Sequence, residues 1–431
     1  MKTKTKKLLV ISLLLVLGIT LVFTPWGRMP CPFCELYHLE IFIWAPQPLD
    51  DLTQHYNVTR LTTSPADDRN PIWSPDVSKI YFKSGSYICV MDSDGSNVTK
   101  LAEGRHATLS PDGSKIFYRQ SKDGLLYQAW VMNADGSSRE KIAELTFIPS
   151  VIFATPLLSW SPDRTKIVYL INEPTGYGLR IENGSYVRKH KVEPGDKEWP
   201  FLESIWTYWI WDLEKNETRE LTSFEPFERG QPPPGEVVWS PDGKKIVLPN
   251  PEMIKGSICE HIWVIDAESG EKQKLTSLIG VNAWPAWSPD GKKIMYLQSS
   301  KVEGLIQNFD ICVMNADGSN KKQLTASPMH EEGEWSPDGR RIAYISFDQD
   351  CLGSFGERKS HKAKSEIWVM NADGTDKKQL LSIPCNNGLI MDMEWSHDGS
   401  KIAFVWQPNR DELKRDIHVV DVPTIDEEVV K

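Results

Sequence analysis

Trp287-Ser-Pro-Asp-Gly-Lys-Lys-Ile294 is one of seven copies of a single phrase. The others read WSPDVSKI from Trp73, LSPDGSKI from Leu109, WSPDRTKI from Trp160, WSPDGKKI from Trp239, WSPDGRRI from Trp335 and WSHDGSKI from Trp395. Their aspartates (Asp76, Asp112, Asp163, Asp242, Asp290, Asp338, Asp398) are 36, 51, 79, 48, 48 and 60 residues apart. A return every roughly 40–50 residues marks a propeller or solenoid array.

A second phrase follows each first: YICVMDSDG from Tyr87, AWVMNADG from Ala129, WIWDLEKNE from Trp209, HIWVIDAESG from His261, DICVMNADG from Asp310, EIWVMNADG from Glu366 and DIHVVDV from Asp416. A third, such as KQLT ending at Thr325, closes most units. Short β-branched and aromatic runs bounded by Pro, Asp, Asn and Gly read as strands and turns. In Ser-Pro-Asp-Gly, proline pre-sets one dihedral, the Asp side chain bonds nearby backbone, and glycine accepts positive φ. Each unit is thus four antiparallel strands without a helix, the blade of a propeller. The expected fold is all-β, seven four-stranded blades, with six or eight as the alternative. The 79-residue interval is read as an insertion. The last unit lacks its fourth strand, while a stray one, NVTRLT at Asn57–Thr62, precedes the first; pairing the two would complete the last blade and hide two edges.

The WSPDGKKI, IWVMNADGS and KQLT cycle over residues 56–424 resembles the TolB-type propeller repeat, whose relatives include the propellers of prolyl oligopeptidases and tricorn-type proteases. The resemblance implies the fold and says little about activity. TolB carries an α/β domain before its propeller; the resemblance gives residues 27–55 no such domain, which argues against a role in a Tol–Pal envelope system.

With 17 Trp and 40% hydrophobic residues the chain can bury a large core. A net charge of −10 gives no support for nucleic-acid binding. Residues 1–7 are basic and residues 8–23 apolar and uncharged, a signal anchor or a cleaved signal peptide within residues 1–26. Either would place the propeller outside the cytoplasm, periplasmic or at the cell surface, or secreted. Sequons at Asn57, Asn97, Asn183 and Asn216 are compatible with export. Cys89 and Cys312 stand where other repeats carry Trp, so they read as core filling. Cys351 and Cys385 could bridge. Cys31-Pro-Phe-Cys34, in a linker, reads as a disulfide rather than a redox or zinc motif.

The two turn phrases share one face of the disc and are uniform; the other connections share the opposite face and vary in length, where binding residues concentrate. The Asn172–Ser204, Asn250–Glu260 and Phe347–Ser365 connections are expected as loops there. On the first strands, Glu236, Glu332, Glu334, Asp392 and Glu394 are expected to converge at the channel mouth, with His106 and His330 nearby. Crowded carboxylates either stay solvated or gain from a cation; calcium at Glu332 and Asp392 is the candidate. Tyr177, Tyr186, Trp199 and Phe201 in the insertion could stack sugars or peptides, or form a small core. No nucleophile elbow, metalloprotease helix or phosphate loop occurs in the sequence, and the tail after residue 424 offers no hydrolase domain. Two functions are expected: a membrane-tethered extracytoplasmic scaffold, not an enzyme, engaging a protein, peptide or glycan through the loop face; or a metal-assisted polysaccharide lyase, since some oligogalacturonate lyases resemble this repeat and hold a metal with histidines.

Overall fold

The structure is a computed structural model that describes residues 58–121, 126–146, 158–163, 165–182, 185–190, 201–215, 217–224, 237–254, 257–277, 280–299, 309–326, 330–347, 364–385, 388–407 and 415–423. Among them all regular structure is β-strand. The strands form six sheets: four of four strands, one of five and one of eight. The eight-stranded sheet is two consecutive quartets joined by one parallel bridge, Glu260 to Val281. The five-stranded sheet is a quartet with an added strand, Ser185–His190. Each quartet is an antiparallel meander of one sequence repeat, except that the last takes its fourth strand from the amino-terminal Val58–Arg60.

The core lies between quartets. Each hydrophobic cluster joins one quartet to the next, and the series ends by joining the last to the first. In that final cluster Ala403, Val405 and Ile417 meet Trp73, Ile80 and Phe82. The repeated tryptophan is the wedge. Trp239 Nε1 donates to the Ser159 carbonyl at 3.0 Å, Trp287 to Val238 at 3.2 Å and Trp335 to Ala286 at 3.2 Å. Each indole therefore spans the gap to the preceding first strand while burying its ring, and truncating such a residue to Ala costs about 3–5 kcal/mol.

The repeated turn is built the same way in every unit. Ser288 Oγ donates to Asp290 Oδ1 at 2.7 Å and accepts the Lys293 N–H, and Asp290 Oδ1 accepts the Lys292 N–H. Asp76 in the first copy is held down at about 2 by the Ser74 and Ser78 hydroxyls and the Ser78 N–H. These aspartates are fully used by their own turns. The glycine of the second turn takes positive φ and packs on the preceding unit: a Cβ on Gly136, Gly318 or Gly374 would sit 3.1–3.2 Å from Leu101, Leu275 or Leu324.

Closure follows the same pattern. Val58–Arg60 pairs antiparallel with the strand Asp416–Asp421. Thr62 Oγ1 accepts the Ile417 N–H at 2.9 Å, as Thr276 does for Ile262 and Thr325 for Ile311. Gly95 packs on Leu61 as its counterparts pack on their leucines. The amino-terminal strand thus takes every contact of a fourth strand. Arg60 and buried Asp416 close the seam with a 2.9 Å ion pair.

Two expected loops are instead sheet. Lys166–Glu182 runs through the insertion, pairs with Phe201–Asp212 across a register shift between Pro174 and Gly178, and folds back on Ser185–His190. Lys245–Ile254 and Ser257–Asp266 pair throughout, up to Ile254 opposite Ser257. Backbone polar groups in a 17-residue strand are satisfied by pairing more completely than by a loop. Residues 348–363 and the pairs Cys31, Cys34 and Cys351 lie outside the described residues. Cys89 and Cys312 fill the interfaces as expected, with burial pushing their thiols up to about 11 and about 12. Cys385 is buried and disulfide-bonded, its partner lying outside the described residues.

Candidate functional site

The first strand of a unit starts on the loop face and ends in the Ser-Pro-Asp-Gly turn. Near its start, pairing with the second strand slips in five units: between Arg69 and Ile72, Arg105 and Thr108, Ala283 and Ala286, His330 and Glu332, and Met391 and Met393. Such bulges re-aim a side chain. Asn70, His106, Trp284 and Asp392, each three residues before the repeat tryptophan or its leucine equivalent, take φ of +50°, +51°, +48° and +48°. Left-handed backbone at non-glycine residues costs about 1–3 kcal/mol each, a strain that gathers at functional rims.

Glu332, Glu334, Asp392 and Glu394 come together along the first strands of the sixth and seventh units, His330–Trp335 and Leu389–Trp395. Each of the first three reaches the next first strand with one oxygen. Glu332 accepts the Met393 N–H at 3.1 Å, Glu334 the Trp395 N–H at 2.9 Å and Asp392 the Asn70 N–H at 3.3 Å. Burial, then the neighbouring Glu394 and Glu332 charges, hold the Glu334 carboxyl well above its ordinary range against the opposing Trp395 N–H. Burial also raises Asp392, moderated by the Asn70 N–H, Arg69 and Arg415. The carboxylates therefore staple the wall, and burial beside like charges favours the protonated form of Glu334.

An arc of opposite sign occupies the first two units, and sequence reasoning missed it. Burial, then Arg119, Arg105 and Lys83, press His106 down to about 4, so its imidazole is neutral at pH 7. Lys83 is itself lowered by burial and by Arg69, Arg105 and Arg415. Arg69 stands opposite Lys83 and Arg105 opposite Arg119 in cross-strand register. Like charges directly opposite destabilise a sheet. Asp67 offsets the first pair through Arg69 and, at 3.0 Å, Arg415. A signal was available: three residues after the repeat isoleucine, units one and two carry Lys83 and Arg119, where the rest carry Leu170, Pro249, Leu297, Ile345 and Val405.

His330 lies on the strand of Glu332, its side chain undescribed, and Glu236 lies outside the described residues. Tyr177 pairs with His190, Tyr186 with Ile181 and Phe201 with Leu179 in the extended hairpins; Trp199 is outside the described residues. Among the described residues no three His, Cys, Asp or Glu side chains are placed to hold a metal ion. Among the described residues no helix is long and apolar enough to cross a membrane; residues 8–23 lie outside them.

Residues 240–356 match the family model of the dipeptidyl peptidase IV (DPP IV) N-terminal region. A comparison with curated proteins by sequence gave no match. Among solved structures, an oligogalacturonate lyase in complex with manganese is similar at 17% identity and a TM-score of 0.58, over 85% of this chain and 93% of that one. The β-propeller domain of the Trilobed protease from Pyrococcus furiosus is similar at 15% identity and a TM-score of 0.53, over 83% and 96%. TolB from Acinetobacter baumannii aligns at 17% identity and a TM-score of 0.41, over 71% of this chain; the chain spans 61% of that protein's length. The scaffold expectation is thereby corrected. The likeness covers 85% of this chain and 93% of the lyase, and neither a membrane tether nor a binding role follows from it. The fold is a TolB-like β-propeller, all-β and made of four-stranded antiparallel sheets.

Proposed function

We propose that the protein is a carbohydrate-active enzyme of the lyase type, working on an anionic glycan at the loop-face end of its channel. What supports this reading is the cationic set around a neutral His106 together with a carboxyl row in which burial and neighbouring charges raise Glu334. The cations Lys83, Arg105 and Arg119 would hold a uronate carboxylate and stabilise the charge that develops on it. The neutral imidazole of His106 would take the proton on the carbon beside that carboxylate. The electron pair released forms the new carbon–carbon double bond as the neighbouring glycosidic C–O bond breaks. Glu334 would give its proton to the departing oxygen. Likeness in fold to an oligogalacturonate lyase supports the reaction class. A disulfide-bonded Cys385 and the basic-then-apolar amino terminus support an extracytoplasmic location.

The test is formation of unsaturated product, followed by ultraviolet absorbance, from α-1,4-linked oligogalacturonate and other uronides. Wild type should form it, and His106→Asn and Glu334→Gln should each lose about 100-fold or more. Wild type that leaves every uronide intact overturns the proposal.

A further inference from the structure

One rim residue takes no part in either arc. Trp284 sits in the bulge of the fifth unit's first strand, Val281–Trp287, at the position of Asn70, His106 and Asp392 in theirs. Its indole is 49% exposed, one of three large hydrophobic side chains exposed among the described residues. A bulky side chain at positive φ is a conformational outlier, and an indole in water forgoes the burial that all six repeat tryptophans obtain. Both costs fall on the same residue. The ring is also held: Phe309, packed on the core cluster between the fifth and sixth units, meets it edge-on, 5.6 Å between centroids at 79°. Phe309 thus contacts the ring while about half of Trp284 stays open to solvent. The strand bearing Trp284 lies against the strand bearing Glu332 and Glu334.

We propose that Trp284 is a stacking platform for one sugar ring, a subsite one unit away from the carboxyl row. A pyranose offers an apolar C–H face to an indole and hydroxyls around its rim, and the neighbouring carboxylates are acceptors for such hydroxyls. This inference deepens the lyase reading and rests on it for the class of ligand. A lysine-rich peptide could also use an indole beside carboxylates, and it serves as the competing probe.

Calorimetric titration of the full chain, as wild type, Trp284→Ala and Trp284→Phe, would use a galacturonate hexamer, cellohexaose and oligolysine. The hexamer should bind wild type, bind Trp284→Ala about tenfold more weakly, and recover most of its affinity with Trp284→Phe. All three proteins should unfold at the same temperature within a degree or two, which a purely structural tryptophan would not allow. Equal hexamer affinity for wild type and Trp284→Ala overturns the subsite, as does failure of wild type to bind any glycan, or Trp284-dependent binding of oligolysine alone. Trp284-dependent hexamer binding without unsaturated product would leave the subsite standing and remove the reaction. Product formation with unchanged KM in Trp284→Ala would do the reverse.

Discussion

The same strands end on two faces that obey different rules. On the turn face every residue is spent on the fold: serine, aspartate and glycine satisfy one another within a few residues, and each turn rests on its neighbour. On the loop face the same first strands slip register, take strained backbone, set arginine opposite arginine and crowd a buried carboxyl against two others. Stability has been optimised at one end of the strand and given up at the other. Natural sequences depart from local consistency mainly at functional sites, so the contrast supports placing the proposed site on the loop face.

The contrast can be broken or sharpened by substitutions at each end. The largest effect is expected at the mouth: Glu334→Gln keeps the shape and the Trp395 hydrogen bond but removes the proton donor. It should lower uronide elimination by about 10²–10⁴-fold with an unchanged melting temperature; parallel loss of both would make Glu334 a structural residue. Next is the seam. Arg60→Ala removes the ion pair to buried Asp416 and should cost about 3 kcal/mol in urea unfolding, whereas a change under about 1 kcal/mol would mean that the seam does not depend on this pair. Third is the turn face. A Cβ on Gly270 would lie 2.2 Å from the Leu221 carbonyl oxygen, so Gly270→Ala should cost about 2 kcal/mol or more while activity per folded molecule stays at the wild-type level.

The smallest effect is a slope with pH. Burial pushes Glu260 up to about 7 from its ordinary 4.5. Between those values the folded protein binds a proton that the unfolded chain has released, so stability falls as pH rises through the window. Glu260→Gln should remove that decline, worth about 1–2 kcal/mol across the window after allowing for solvent screening. Buried His418, held down at about 4, works the opposite way. The unfolded chain takes up that proton first, so its contribution is lost as pH falls from about 6.5 to 4. A variant stability curve parallel to wild type would show that Glu260 ionises normally.

The fold was legible because its signals are local and repeated. Ser-Pro-Asp-Gly announces itself in any copy, and Asn57–Thr62 could be assigned to the last blade because it spells a fourth strand. The carboxyl row was legible for the same reason, by aligning the positions three and one residues before the repeat tryptophan. The long hairpin was not: Asn183-Gly184, a strong two-residue turn signal, sat inside a segment read as loop because its length broke the repeat. The basic arc was missed because its residues lie on two different strands that only pairing brings together. Arg105 and Arg119 become informative only when cross-strand register sets them face to face. The exposure of Trp284 is invisible in sequence, since a register slip, not composition, turns it out to solvent.

Infrared difference spectroscopy of wild type against Glu334→Gln at neutral pH tests the chemistry of the mouth without needing a substrate. Glu260 and the other carboxyls are present in both proteins and cancel. A carbonyl band of a protonated carboxylic acid should appear in wild type, vanish in the variant, and persist in wild type to well above pH 5. Spectra that coincide in that region would mean Glu334 is ionised like a surface carboxylate, and the rim would have no proton to give.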